Sequence, residues 1–197
     1  MPMGHDAPLT KEMILDAAEQ VLRRFGPEKT SVVDIAKALQ VSHGTVYRHF
    51  PSKAALREAV TERWLVGCIS APLEKIVSEG KGSATERLRL WLDTLRKSKR
   101  DYFTRDTEMF AMYAAETQES VETVKAHVNH LIQQIATIVE QGIQSNEFKP
   151  GQPEVIAKAI FMATSRFHHP AHANQWLAED EEETFQAVWE LLLRGLV

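Results

Sequence analysis

The sequence predicts an all-α protein with two parts: an N-terminal three-helix domain that contains a helix-turn-helix (residues 1–52) and a longer helical C-terminal domain (residues 53–197). Two short helical patterns flank a tight turn between Ser31 and Lys53, which indicates the helix-turn-helix. Beyond them every readable segment repeats its apolar residues with the period of a helix, and none alternates with the period of a strand. The chain has 197 residues, 44% of them hydrophobic, so it can bury a substantial core.

The first helix is predicted to begin at Thr10 and to end at Gly26-Pro27, because these residue types are typical of helix starts and ends. The second begins at Ser31, where Asp34 can complete a capping box. The predicted apolar faces are Ile14, Ala17, Ala18, Val21, Leu22 and Phe25 in the first helix and Val32, Ile35, Ala36 and Leu39 in the second.

A very short third helix is predicted after Ser42, with Val46 and Phe50 on its inner side. Its outer side is unusual for a helix that meets only water, since Gly44 lowers helix propensity by about 1 kcal/mol relative to alanine. A glycine lets the backbone approach a partner closely, and hydroxyl and amino groups contact DNA phosphates. His43 and the Thr45 methyl group suit contacts with base edges. The outward set, His43, Gly44, Thr45, Tyr47 and His49, therefore predicts a DNA-reading helix.

Charge is distributed unevenly, although the chain as a whole carries a formal net charge of -4. Residues 1–63 hold nine basic and eight acidic residues, whereas residues 64–197 hold fourteen and nineteen. Such a distribution fits binding to DNA through a defined surface and not through bulk charge. Around the helix-turn-helix a single acid, Asp34, faces the basic residues Lys29, Lys37, Arg48, Lys53 and Arg57.

The segments 30–36, 41–50 and 51–53 resemble the DNA-binding domain of the TetR (tetracycline repressor) family. The family pattern is a T-T/S-x-x-D-I-A helix, a G-V-S-x-G-T-x-Y-x-H-F recognition segment and a following S-K cap. Two positions depart from it. Gln40 stands where the family commonly has a turn glycine, and Val33 stands where an arginine or lysine frequently contacts DNA. The resemblance implies base contacts by His43, Gly44 and Thr45 and phosphate contacts by Tyr47, His49 and Lys53; Ser31, Ser42 and Arg48 complete our predicted DNA-binding set.

In the remainder, Ser52 is predicted to start a long helix through Trp64 and Ile69 towards Pro72, which should kink or end it. Further helices are expected near residues 83–99, 105–117, 119–145, 153–168 and 179–195. The acidic run 179–183 suits the first turn of the last helix, where the helix dipole favours negative charge.

The last two helices are strongly apolar, and the resemblance implies that such a pair forms a four-helix bundle between two copies of the chain. We expect the dimer interface to include Ile160, Phe167, Trp189 and Leu192. Aromatic and methionine residues spread over the body are either core or the lining of a small-molecule site. The predicted site for a largely apolar or aromatic effector is Trp64, Trp91, Phe110, Tyr113 and Phe161.

Three other features have competing interpretations. The histidines at 127, 130, 168, 169 and 172 are either interface and capping residues or a metal site. Cys68 is either a buried inert thiol or a redox sensor. The basic run 96–100 is either a solvated helix end or a nucleic-acid contact. In each case we favour the first interpretation. We find no catalytic motif and expect no cofactor.

The sequence thus predicts a cytoplasmic homodimeric repressor that binds a palindromic double-stranded DNA operator and is released by a small effector. A transcriptional activator and an effector-independent DNA-binding regulator remain as alternatives, and a histidine-based metal-dependent hydrolase is a remote one. The absence of an export signal and of a long apolar run underlies the cytoplasmic expectation.

Overall fold

The computed structural model describes residues 9–119 and 122–197, and these residues form helices and turns without any strand. Within them no helix is both long and apolar enough to cross a membrane. A π-helical turn, Val66–Ser70, joins α4 to α5, and two 3₁₀ turns, Ser165–Phe167 and Pro170–Gln175, connect α9 to α10. The helices are α1 Lys11–Phe25, α2 Val32–Ala38, α3 His43–His49, α4 Lys53–Leu65, α5 Ala71–Glu79, α6 Ala84–Arg105, α7 Thr107–Gln118, α8 Glu122–Gln144, α9 Pro153–Ala163 and α10 Glu181–Leu196.

Hydroxyl side chains start the helices as the sequence predicts. Thr10, Ser42 and Ser52 each accept a hydrogen bond from the backbone amide three residues later. Ser31 does the same and also forms a capping box with Asp34. Each such cap contributes about 1 kcal/mol to helix stability, so the boundaries of the N-terminal helices are fixed locally.

The end of α6 differs from the prediction, because the helix continues to Arg105 and not to about residue 99. The basic run does not end the helix, since Lys99 is buried and Tyr102 prolongs the inner face. The break falls at Asp106, whose φ of -130° and ψ of 55° leave the helical region. Phe25, expected on the inner face of α1, is 48% exposed.

The N-terminal bundle is attached to the body by α4, which packs against α1, α7 and α8. Ion pairs strengthen this connection: Arg63 of α4 lies 2.7 Å from Asp16 of α1, and Arg23 of α1 lies 3.1 Å from Asp106. Arg57 of α4 lies 3.0 Å from Glu116 of α7. A displacement of α7 would therefore act directly on α4, the helix that follows the helix-turn-helix.

The residues expected at the dimer interface require a correction. Ile160, Phe167 and Trp189 are only 2%, 3% and 6% exposed, because the chain's own helices already cover them. Leu192 is half-buried and lies in an apolar groove of about 390 Å³ between α9 and α10. The large apolar side chains that these two helices leave exposed are Val155, Met162 and Leu191.

Candidate nucleic-acid interface

The turn between α2 and α3 is built by the backbone. The amide of Val41 donates to the carbonyl of Ala36 over 3.0 Å, which reverses the chain after α2. Gln40 has a φ of 56°, so the left-handed conformation expected where related sequences have glycine is present. The turn sets the angle at which α3 leaves α2.

The two faces of α3 separate as the sequence predicts. Val46 is fully buried and Phe50 is 7% exposed, so they attach the helix to the bundle. On the opposite side His43, Gly44, Tyr47 and Arg48 are exposed to solvent, and Thr45 and His49 are half-buried.

The exposed face of α3 is ordered by its own contacts. The Ser42 and Thr45 hydroxyls lie 2.9 Å apart, and the guanidinium of Arg48 donates to Thr45 Oγ1 over 3.2 Å. The rings of His43 and Tyr47 meet edge to face with centroids 6.3 Å apart. Since the Thr45 hydroxyl is engaged within the helix, its methyl group is the part suited to a thymine contact.

Two of the expected DNA-contacting hydroxyls already serve as caps. Ser31 Oγ donates to the Asp34 carboxylate over 2.5 Å and accepts the Asp34 amide. Ser42 Oγ accepts the Thr45 amide over 3.2 Å. Any phosphate contact by these residues has to be shared with the cap, so they are weaker candidates than the exposed side chains.

Gly44 is not required by the fold. A Cβ atom placed there would meet only the Ser42 hydroxyl, at 3.8 Å, and the backbone is not in the left-handed region that favours glycine. The conformation of the isolated chain therefore does not explain a glycine in the first turn of a helix. Close approach by an external partner does explain it.

The positive charge of this surface lacks local partners. Among the described residues, no carboxylate lies within ion-pair distance of Lys37, Arg48 or Lys53. Arg57, which we had counted with them, is instead held by Glu116 and by Glu119 at 2.9 Å. The unpaired basic groups thus lie on α2, on α3 and at the start of α4, where a phosphate backbone would supply the missing partners.

Three of the five residues predicted to bind the effector lie together in the body of the protein. The ring of Tyr113 lies 5.8 Å from that of Trp64 and 6.0 Å from that of Phe110, centroid to centroid. Trp91 has another partner, since its indole N–H donates to Gln134 over 2.9 Å. Phe161 packs on His168 with centroids 4.5 Å apart. The aromatic cluster is therefore Trp64, Phe110 and Tyr113.

Sequence reasoning missed Lys99, which we had assigned to a solvated basic run. The residue is 1% exposed, and its ammonium nitrogen lies 3.9 Å from the centroid of the Tyr113 ring. Burial lowers the pKa of its amino group to about 7. The available signal was its spacing, because Lys99 follows Leu95 by four residues on the apolar face of α6.

The histidines have separate partners. His127 Nδ1 lies 3.2 Å from the Ser70 hydroxyl, and His130 Nε2 lies 3.0 Å from the Gln134 amide nitrogen. His168 is buried, and desolvation lowers its pKa to about 3. In the described part of the chain, no three His, Cys, Asp or Glu side chains are close enough together to hold a metal ion. Burial also raises the pKa of the half-buried Cys68 thiol, which makes it less reactive.

Two family models match the chain, and together they cover both of its parts. Residues 14–60 match bacterial regulatory proteins of the tetR family, and residues 84–189 match the tetracyclin repressor-like C-terminal domain. The second match alone spans more than half of the chain.

Individual relatives cover nearly the whole length. The nucleoid occlusion factor SlmA of Vibrio atlanticus (strain LGP32) is 26% identical over 189 residues, which are 92% of this chain and 93% of that protein. SmeT, the repressor of the Stenotrophomonas maltophilia multidrug efflux pump SmeDEF, has a similar structure, with a TM-score of 0.67 at 18% identity over 96% of this chain and 91% of that one. The transcriptional regulator FadR of Bacillus subtilis, solved in complex with stearoyl-CoA, gives a TM-score of 0.64 at 22% identity over 95% and 100%.

Proposed function

The chain belongs to the TetR family of DNA-binding regulators, and we propose that it is a homodimeric repressor that binds a palindromic operator in the cytoplasm and releases it when a small effector enters its body. The observation that carries the proposal is the exposed face of α3, which has a glycine that the fold does not need. Basic groups without a carboxylate partner among the described residues lie on this face and beside it, on α2 and at the start of α4.

On DNA, α3 enters the major groove. His43, Gly44 and Thr45 lie against base edges, while Tyr47, Arg48, His49 and Lys53 hold the phosphate backbone. The rings of His43 and Tyr47 lie next to each other, edge to face, on this surface, so the base-contacting and phosphate-contacting residues form one continuous face.

The second copy binds through α9 and α10. The apolar groove between these helices and the exposed Val155, Met162 and Leu191 give the apolar surface that an isolated chain leaves uncovered. A two-fold pair formed in this way presents two recognition helices. They read successive major grooves when they lie about 34–36 Å apart.

The effector acts through α7 and α4. Tyr113 of α7 lies in the aromatic cluster, and Glu116, one turn further along α7, faces Arg57 of α4. A ligand beside Tyr113 therefore shifts α7, which moves α4 and changes the spacing of the two DNA-reading heads. A tenfold loss of operator affinity requires a difference of only about 1.4 kcal/mol between the two dimer shapes.

An effector-independent DNA binder is the second candidate, because the relative SlmA of Vibrio atlanticus is named a nucleoid occlusion factor, a name that refers to no ligand. Similarity to SmeT, a repressor, and to FadR, a regulator solved in complex with stearoyl-CoA, favours a ligand-responsive repressor. The two candidates share the DNA-binding face and differ in the body. Ligand titrations of free and operator-bound dimer distinguish them. If a ligand weakens operator binding, bound operator must weaken the binding of that ligand by the same factor.

The DNA-binding assignment is tested with an operator selected by the wild-type protein from random DNA. Tyr47→Ala and Lys53→Ala should weaken binding to all sequences alike, and Lys53→Ala should flatten the salt dependence by about one charge. Changes at His43 should alter sequence preference instead. Lys75→Ala, an exposed lysine on α5 outside the DNA-binding and dimer helices, is the control for lost charge. Unchanged affinity in both Tyr47→Ala and Lys53→Ala would contradict the proposed interface.

A further inference from the structure

Lys99 places an amino group in the core without a hydrogen-bond partner. Its Nζ atom is buried, and among the described residues no acceptor lies within hydrogen-bond distance. The only described contact that compensates its charge is the face of the Tyr113 ring, 3.9 Å away. Burying an amine in this way destabilises a fold, whereas a leucine or methionine at this position would stabilise it. Folding alone therefore does not account for Lys99.

Other buried nitrogens surround the same tyrosine ring and also lack partners. Trp64 Nε1, whose ring lies 5.8 Å from that of Tyr113, has no hydrogen-bond acceptor. His127 Nε2 has none either, and its ring meets Tyr113 edge to face at 6.5 Å. When the Ser70 hydroxyl donates to His127 Nδ1, Nε2 carries the proton. Lys99, Trp64 and His127 then present only donors.

The nearby acid is not available to this group. Glu116 lies one turn beyond Tyr113, but its carboxylate faces the Arg57 side chain at 3.0 Å. Burial lowers the pKa values of His127 and His168, and the neighbouring Lys99 adds to the effect. The cluster therefore has an excess of hydrogen-bond donors.

A surface cavity reaches one member of this cluster, His127. It has a volume of about 190 Å³ and lies between α4, the π-helical turn and α8. Its exposed lining residues are Glu62, Val66, Ala126 and His130, Thr123 is half-buried, and the buried ones are Leu65, Ser70 and His127. His127 therefore connects the cavity with the buried nitrogens around Tyr113, and the apolar lining suits a ligand whose polar end faces His127.

We propose that Lys99, Trp64 and His127 bind the carboxylate of the effector, so that the ligand is an amphipathic carboxylic acid and not a purely apolar molecule. The inference rests on the proposed regulation by a ligand in the body and names the chemical class of that ligand. A carboxylate is an acceptor with about four lone-pair sites, which matches a set of donors. A hydrogen bond between an ammonium and a carboxylate is about twice as strong as one between neutral groups.

The test compares acids with neutral molecules of the same skeleton by calorimetric titration of the full-length protein. The probes are sodium octanoate and sodium 4-phenylbutanoate, with octan-1-ol and 4-phenylbutan-1-ol as neutral counterparts. Wild-type protein should bind at least one acid about tenfold or more tightly than its alcohol. Lys99→Met should reduce that preference to about twofold or less, because the charge is gone and the aliphatic stem remains.

The control is Lys97→Met, which removes the same charge from the exposed side of α6 and should keep the wild-type preference. Urea unfolding should show Lys99→Met to be at least as stable as the wild type; if it does not fold, Lys99→Gln serves as the second uncharged variant. Equal affinity of wild-type protein for acid and alcohol overturns the inference but leaves a small-molecule site in place. A preference lost in Lys97→Met and kept in Lys99→Met also overturns it, as does the absence of acid binding at millimolar concentration. Operator binding without ligand, measured on the same samples, reports separately on the DNA-binding function.

Discussion

Replacement of Gly44 by alanine should separate the stability of the protein from its binding to DNA. The new methyl group meets only Ser42 Oγ, at 3.8 Å, so it introduces no steric cost into the isolated chain. Alanine is favoured over glycine in a helix by about 1 kcal/mol, and a first-turn position gives about half of that. We therefore expect the free energy of unfolding to rise by about 0.5 kcal/mol.

Operator affinity should change in the opposite direction. The methyl group projects from the face that approaches the bases, so we expect a loss of about tenfold, which corresponds to about 1.4 kcal/mol. Urea unfolding gives the stability, and fluorescence anisotropy with a labelled selected operator gives the affinity.

Gly67→Ala is the matched control for the Gly44 experiment, since Gly67 is also an exposed glycine within a helical turn and also has open space around its would-be Cβ atom. It lies outside the helix-turn-helix, in the π-helical turn. Because its new methyl group contacts nothing among the described residues, the turn keeps its geometry and operator affinity should stay unchanged. A Gly44→Ala variant that binds the operator as tightly as the wild type would refute the close approach that we infer. A variant that loses stability would show that the glycine serves folding.

Two further predictions concern the body. Arg57→Met leaves the fully buried Glu116 carboxylate without its partner, so it should destabilise the protein at pH 7 by about 1–3 kcal/mol, less than a fully buried pair because Arg57 is one-third exposed. Burial raises the pKa of Glu116 above its unfolded value, so its ionised form opposes folding. The stability lost in Arg57→Met should therefore grow as the pH rises through the folded pKa of Glu116. Adding Glu116→Gln should restore most of that stability, which a double-mutant cycle of urea unfolding measures. Leu191→Arg should convert the dimer into monomers in analytical ultracentrifugation, whereas Leu177→Arg, an equally exposed leucine before α10, should not; a wild-type protein that sediments as a monomer at micromolar concentration would contradict the interface itself.

The DNA-reading segment could be predicted almost completely from the sequence, because its structure depends on neighbours within about four residues. Ser31 with Asp34 and Ser42 with Thr45 are local caps, and Val46 with Phe50 is a local apolar pair. The left-handed conformation of Gln40 was indicated by the family resemblance, in which a turn glycine is common at this position. These interactions do not depend on how the rest of the chain packs.

The body was less predictable, because its properties depend on contacts between distant segments. An apolar residue such as Trp189 can be covered by its own chain or by a second copy, and hydrophobicity alone does not distinguish the two. Arg57 looked like part of a basic surface until Glu116, far away in sequence, was seen to face it. Lys99 was misassigned because a charged residue within a charged run usually faces water.

The π-helical turn at Val66–Ser70 sets the rotational phase between the two halves of the protein. The turn joins α4 and α5 into one nearly continuous helical rod and also contacts α6 and α8. The rod therefore connects the aromatic cluster, which includes Trp64 of α4, with the N-terminal bundle. A π-helical turn accommodates one residue more than an α-helical turn, and each residue of an α-helix corresponds to about 100° of rotation. Removing that single residue would turn the N-terminal bundle about the axis of the rod by about a quarter of a revolution or more while leaving every cap and core contact within the bundle intact. The five residues of this turn therefore contribute to the direction of α3 although they lie outside the N-terminal bundle.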